Sequence, residues 1–150
     1  MRYFLPFLFC CTLMAEVANM SGNWALNEKR SRFGDNPHPS QVFLKIEHNE
    51  PKLKYSGNTN HANEGQINDF QFDGAIDGKE YIGKQDNGDR RVTFRRINDN
   101  TVESLSKLAE GELSSRETVS SDGRTLERRM TFRGKDGKTR RWVEIYEKKQ

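Results

Sequence analysis

Cysteine is confined to one spot in this chain: Cys10 and Cys11 both lie in an apolar N-terminal segment. No disulfide can therefore brace the rest, whatever the redox state of its surroundings. Apolar residues make up only 33% of the sequence, so any sheet it forms must wet much of its surface. No helical period runs through it, which excludes a helix bundle. A clustered basic field is missing too: the net charge is +3 with acids and bases interspersed, so no nucleic-acid partner is expected. Gly-x-Ser-x-Gly, phosphate-loop, His-Glu-x-x-His and Cys-x-x-Cys signatures are absent. His38, His48 and His61 are far apart, in loops or at strand ends, without the spacing of a metal site. The expectation is a protein that is not an enzyme and holds no metal or cofactor.

What the N-terminus does have is the composition of a sorting signal. Arg2 supplies a minimal charge, Tyr3 to Met14 is almost wholly apolar, and Ala15 and Ala18 are small enough for cleavage. The run is shorter than the roughly 20 residues a membrane span needs. Residues 1–18 are read as a cleaved signal peptide, the alternative being an anchor that stays attached. Residues 19–150 then form one secreted or periplasmic domain with no membrane span. Roughly 130 residues suffice for one real core.

The remainder is punctuated by Asp73-Gly74, Asp77-Gly78, Asn87-Gly88, Asp122-Gly123 and Asp136-Gly137. Such dipeptides accept the positive φ of tight hairpins. Between turns lie short Val-, Ile-, Thr- and Phe-rich runs, placing strands near 22–26, 41–48, 52–56, 67–72, 80–84, 90–97, 101–108, 113–119, 126–133 and 139–147. Asn27 is placed to cap a short helical turn over 28–33, ended by Gly34. The polar stretch from Gly57 to Gly65 reads as the least structured part. The fold class is all-β: an antiparallel up-and-down meander of about eight to ten strands closed into a barrel, with a short helical turn after the first strand.

Hairpin loops set the register, and register sets the faces. A two-residue loop at Asp136-Gly137 puts Met130 opposite Val143 and Arg128 opposite Ile145. One at Asp122-Gly123 puts Ser115 opposite Met130 and Glu117 opposite Arg128. A turn at Glu110-Gly111 sets Leu108 against Leu113. A loop over 98–100 sets Arg96 against Val102, and Asn87-Gly88 sets Tyr81 against Phe94. One face then collects Tyr81, Val92, Phe94, Val102, Leu108, Leu113, Val119, Leu126, Met130, Phe132, Val143 and Ile145. The other takes Arg95, Glu103, Lys107, Arg116, Glu127, Arg129 and Glu144, with Arg129 facing Glu144. A single apolar face with no helix to cover it must curl upon itself.

Polar residues fall on the apolar side as well: Glu117, Arg128, Arg96, Ser104, Ser106 and Ser115. Ligand cavities are mostly apolar with a few placed polar groups. Arg96 and Arg128 are candidates to hold an anionic head, with Glu117 as counter-charge and Phe94, Tyr81 and Tyr55 as aromatic contacts. The alternative is that Glu117 and Arg128 form a satisfied internal pair and the tyrosines are core. The doubled arginines (90-91, 95-96, 128-129, 140-141) read as a solvated outer face, since strand neighbours point opposite ways.

Ser21-Gly22-Asn23-Trp24-Ala25-Leu26-Asn27, with Lys29-Arg30-Ser31-Arg32-Phe33-Gly34 behind it, resembles the opening of lipocalin-like and fatty-acid-binding-like barrels. The close, Val143-Glu144-Ile145-Tyr146-Glu147-Lys148, is similar to the last strand of the fatty-acid-binding group. The overall pattern resembles small exported bacterial proteins of lipocalin-like type. The resemblance implies a Gly-x-Trp strand plugging one barrel end. It also implies an Arg-x-Tyr pair on the last strand, where this chain has Glu144-Ile145-Tyr146, and a two-helix lid, where it has only 28–33. The function expected is non-catalytic binding of a small hydrophobic or anionic amphipathic ligand by a monomer. The alternative is a cell-envelope interaction module whose interior is filled by side chains.

Overall fold

The computed structural model describes residues 16–61, 66–86 and 88–150. The expected signal peptide lies outside the described residues apart from 16–18, and so does Asn87. Ten strands form one closed antiparallel barrel: β1 (Gly22–Leu26), β2 (Gln41–Asn49), β3 (Lys52–His61), β4 (Gln66–Ala75), β5 (Glu80–Gln85), β6 (Arg90–Asn98), β7 (Thr101–Lys107), β8 (Gly111–Val119), β9 (Thr125–Gly134) and β10 (Thr139–Lys148). Each pairs with its neighbour in sequence, and β1 closes the ring by pairing with both β2 and β10. Residues 57–61, expected to be irregular, belong to β3; 62–65 lie outside the described residues.

Two hairpins have the expected register: Glu117 faces Arg128 and Arg96 faces Val102. Two others are displaced by two residues. Leu113 faces Ser106 rather than Leu108, which sets Val102 against Glu117, and Tyr81 faces Val92 rather than Phe94. A shift of two leaves every side chain on its face, so these cost nothing in patterning.

The last hairpin differs by one residue, and that changes the interior. Gly134 N donates to Lys138 O (2.9 Å), so the loop is Lys135-Asp136-Gly137, with Gly137 at φ 80°. Gly is the residue that takes this conformation without strain. Met130 therefore faces Trp142, and Arg128 faces Glu144. Trp142, Glu144 and Tyr146 turn inward, and Val143 and Ile145 outward. Arg129 stands opposite Val143, and its guanidinium meets Glu127 (2.6 Å), not Glu144.

The segment after β1 is a hydrogen-bonded turn, not a helix. Ser31 N donates to Asn27 O (3.1 Å), but the chain then straightens against β10. Arg32 and Val143 exchange backbone bonds (2.8 and 2.9 Å), and Ile145 N donates to Ser31 Oγ (2.9 Å). The unpaired edge of β10 recruits these residues before a second helical turn can form. Ile145 is buried there, outside the interior cluster.

One end of the barrel is sealed. Trp24 is 1% exposed and belongs to one buried apolar cluster with Met20, Ile46, Leu53, Ile76, Val102, Val119 and Leu126. Each buried apolar side chain contributes about 1.5–3 kcal/mol. Residues 18–21 cross this end. Ala18 N donates to Asp99 O (2.8 Å), Met20 N to His48 Nδ1 (3.2 Å), and Trp24 Nε1 to Met20 O (3.0 Å). His48, read only as a loop or strand-end residue outside any metal site, is the buried clasp of this segment. Among the described residues no helix is long and apolar enough to cross a membrane.

Candidate functional site

Towards the other end the interior opens into a cavity of about 350 Å³, inside the range of small-molecule sites though near its lower limit. Val42, Leu44, Val92 and Met130 line its walls. Phe33, Pro37, His38 and Pro39 border its mouth. The mouth segment is held by local contacts: Phe33 stacks on His38 (centroids 4.2 Å apart), and Asn36 Nδ2 donates to Phe33 O (2.6 Å) and Arg141 O (3.1 Å).

A polar chain runs across the inner wall from β7 to β10. Ser104 and Ser115 hydroxyls are bonded (2.8 Å), and Ser115 Oγ donates to Glu117 Oε1 (3.0 Å). Arg128 Nε donates to the same Glu117 oxygen (3.2 Å), while its Nη1 donates to Glu144 Oε2 (3.1 Å). Glu144 also accepts from Tyr146 OH (2.8 Å) and, on Oε1, from Trp142 Nε1 (2.8 Å). The period of two places all these side chains inward, and the register of β8, β9 and β10 sets Glu117, Arg128 and Glu144 side by side.

Burial opposes the charge of Arg128, but Tyr55, Glu117, Glu144 and Tyr146 around it raise its pKa well above the ordinary arginine value. Burial raises Tyr146, as do Glu144 and its hydrogen bond. Burial likewise raises Tyr55 far above neutrality. Both tyrosines are neutral phenols at any physiological pH.

Three buried polar atoms have no hydrogen-bond partner among the described residues: Tyr55 OH, Glu117 Oε2 and Arg90 Nε. All three residues line the cavity. Leaving such a group unsatisfied costs about 1–3 kcal/mol, more when charged. Arg90 lies over the Phe70 ring, 4.2 Å from its centroid. Burial, then the neighbouring Arg128, pushes its pKa down to about 10, so it stays charged at neutral pH. No carboxylate among the described residues forms an ion pair with it; Glu110 acts on it only through space.

Of the candidate residues, the cavity brings together Arg128, Glu117, Phe94 and Tyr55. Arg96 and Tyr81 do not line it. Arg96 lies at the sealed end, with Nε and Nη2 on Glu50 (3.0 and 2.5 Å), whose Oε2 also meets His48 Nε2 (2.6 Å). It shares parity with Phe94 but lies past the core, where β6 nears its hairpin. Tyr81 packs edge-on against Phe72 and donates its hydroxyl to Asp77 (3.0 Å). It sits beside the thin seam between β4 and β5, which among the described residues pair only at Phe70–Gln85 and Gln71–Lys84.

The expectations missed Arg90, Glu144, Tyr146 and Trp142. Arg90 was legible: it has the parity of Val92 and Phe94. The β10 residues were hidden by the loop count at 135–137. The arginine doublets do not form one solvated face. Arg91 reaches Glu80 (3.4 Å) and Arg95 pairs with Glu103 (2.5 Å), while Arg90 and Arg128 point inward.

No protein-family model matches this chain, and no curated protein matches it. Solved structures do share its architecture. The zebrafish ileal bile acid-binding protein with cholic acid is 14% identical, with 87% of this chain and 98% of that one covered at a TM-score of 0.55. A mutant of the fluorescent protein UnaG is 13% identical, with 87% and 96% covered at 0.59. Rv2717c from M. tuberculosis is 14% identical, with 87% and 93% covered at 0.56. At such identities the likeness concerns the fold: an all-β, closed, fatty-acid-binding-like barrel.

Proposed function

We propose that this protein is a non-catalytic container for a small hydrophobic or amphipathic molecule. The observation that carries the reading is the cavity itself, about 350 Å³ of mixed apolar and polar lining inside a barrel sealed at one end, with polar atoms of Tyr55, Glu117 and Arg90 unsatisfied among the described residues. A barrel packed solid by its own side chains, as an envelope interaction module would be, has neither feature. A binder fits the chemistry better than an enzyme does. Both oxygens of Glu144 are committed to hydrogen bonds, and the two tyrosines are held as neutral phenols. One of the solved structures with this fold is a bile acid-binding protein holding cholic acid, a use of the fold in keeping with the proposal.

The site we assign comprises Arg128, Glu117, Tyr55 and Phe94, joined by Arg90, Glu144 and Tyr146. We also propose that the chain is exported, with residues 1–18 as a cleaved signal, and that the domain acts as a monomer. The burial of Met20 against Trp24 is in keeping with a folded domain that begins near residue 18.

The test is uptake of a fluorescent anilinonaphthalene sulfonate probe by the purified domain, followed by displacement with fatty acids. Saturable uptake is expected, and Ser106→Phe, which fills the cavity wall, should abolish it while the far-UV circular dichroism stays that of a β-barrel. Absence of saturable uptake by the wild type, together with native mass spectra showing only the bare chain from membrane extracts, would end the container reading.

A further inference from the structure

The charges inside this barrel are sorted along its depth. Arg90 opens β6 at the mouth end. Glu117 lies near the end of β8, opposite Val102 of the sealed core. Around Glu117 and Glu144 there are two carboxyl groups and one guanidinium, Arg128, so acidic groups outnumber basic ones by one in the inner cluster. At the mouth, Arg90 carries one positive charge with no carboxylate bonded to it among the described residues. The four groups sum to zero, but they leave the cavity polarised, negative within and positive outside.

The unsatisfied atoms match that polarity. The Glu117 side chain is 1% exposed, and its Oε2 is an acceptor without a donor. Arg90 Nε is a donor without an acceptor. A guest carrying a lone acid at its inner end would meet Arg128 already held by two carboxylates and would add a third like charge beside them. Bringing an unpaired anion into that buried cluster is strongly unfavourable. The same guest turned end for end would place its acid on Arg90, where a charge-assisted bond completes a guanidinium already aligned on Phe70.

Resting on the container reading above, the geometry points to a guest bound acid-outward: an amphiphile with a carboxylate or other anion at the mouth on Arg90 and a hydrogen-bond donor or cation at its inner end on Glu117, as in an ω-amino acid or ω-hydroxy acid of medium chain length. Tyr55, beside Arg128 with its hydroxyl unpartnered among the described residues, completes the inner polar contacts. The small volume favours one compact chain over a large ring system.

Four probes of equal length separate the possibilities by titration calorimetry at neutral pH: decanoate, ω-aminodecanoate, ω-hydroxydecanoate and decylamine. The ω-amino acid should bind at least about tenfold tighter than decanoate, with the hydroxy acid between them. Glu117→Gln should erase the preference for the amino acid. Arg90→Gln should weaken all three acids by about tenfold and leave decylamine unchanged. Decanoate binding as tightly as the amino acid, or a preference that survives Glu117→Gln, would overturn the acid-outward assignment while leaving the container reading intact. If none of the four binds the wild type, this assignment falls, and the container reading is decided by the uptake and mass-spectrometric test above. The wild-type ranking needs no variant to fold, so the assignment is tested even if Glu117→Gln is unstable.

Discussion

Arg96 and Arg128 both sit on the inward parity of their strands, both meet glutamates, and they do different things. At the sealed end Arg96 grips both oxygens of Glu50, which in turn holds His48, and His48 accepts from Met20 N. None of the side-chain polar atoms of these three residues is both buried and without a partner among the described residues. The network is a clasp that fixes residues 20–21 and the β2–β3 turn across the base. In mid-barrel, Arg128 is shared by Glu117 and Glu144, and the cluster ends in an unsatisfied oxygen of Glu117, a residue that lines the cavity. The lesson is that a buried ion pair says little about its role. What separates structure from binding is whether the partners exhaust each other's hydrogen-bonding capacity.

That comparison can be broken in several places. The largest effect is expected at the base: Trp24→Ala should lower stability by about 3–5 kcal/mol in urea unfolding, since a cavity opens in a sealed cluster. Probe uptake by the fraction still folded should persist. Next is Arg128→Met, which strands two buried carboxylates and should cost about 3 kcal/mol by the same measurement. If instead it leaves the urea midpoint unmoved, the inner cluster is not the electrostatic unit described here. Arg96→Met should cost about 1 kcal/mol, because the Glu50 it leaves is partly in water. It should leave ligand affinity unaltered, and a changed affinity would place Arg96 in the site after all.

A pH experiment sharpens the contrast further. Its hydrogen bond to Arg96 holds Glu50 below the usual value of 4.5, against a smaller opposing effect of burial. A carboxylate depressed in the folded state adds stability that is fully present above its unfolded pKa and is lost as pH falls through the folded one. Acid titration of the unfolding midpoint should therefore show a decline below about pH 4.5 that is shallower in Glu50→Gln. The smallest effect is expected at Arg90. Arg90→Met removes a buried cation with no bonded counter-charge among the described residues, so the thermal midpoint should stay level or rise slightly even as affinity for acids drops. A clear fall in the midpoint would mean the native fold uses that charge.

Much of the frame could be read from turn chemistry. Ten strands lie near where the Gly-bearing turns and alternating runs put them, but Asp73-Gly74, read as a turn, lies within β4, and β3 runs on to His61; the 98–100 and 122–123 hairpins have the expected pairs. Two further hairpins were shifted by two residues without harm, because parity is all that the faces depend on. The one odd shift, at 135–137, mattered most. Asp-Gly suits the centre of a two-residue loop and the end of a three-residue loop equally well. Hydrophobicity gave the wrong answer between them: Ile145 is buried, but against residues 27–33 rather than in the barrel. Asn27 and Ser31 of the opening motif both fasten that segment to β10. Asn27 N donates to Ile145 O (2.7 Å), Asn27 Nδ2 to Glu147 (2.8 Å), and Ser31 Oγ accepts from Ile145 N (2.9 Å).

Strand number, order and the inward or outward sense of all strands but the last follow from local causes, namely turn residues that accept positive φ and a side-chain period of two. Which charges meet is a different matter. Glu50 and Arg96 are 46 residues apart, and Phe70 and Arg90 sit across a seam that barely pairs. Those encounters depend on how far each strand slides before the sheet closes, and only closure of the ring determines that. The cavity, its sorted charge and its unsatisfied atoms therefore belong to the tertiary structure.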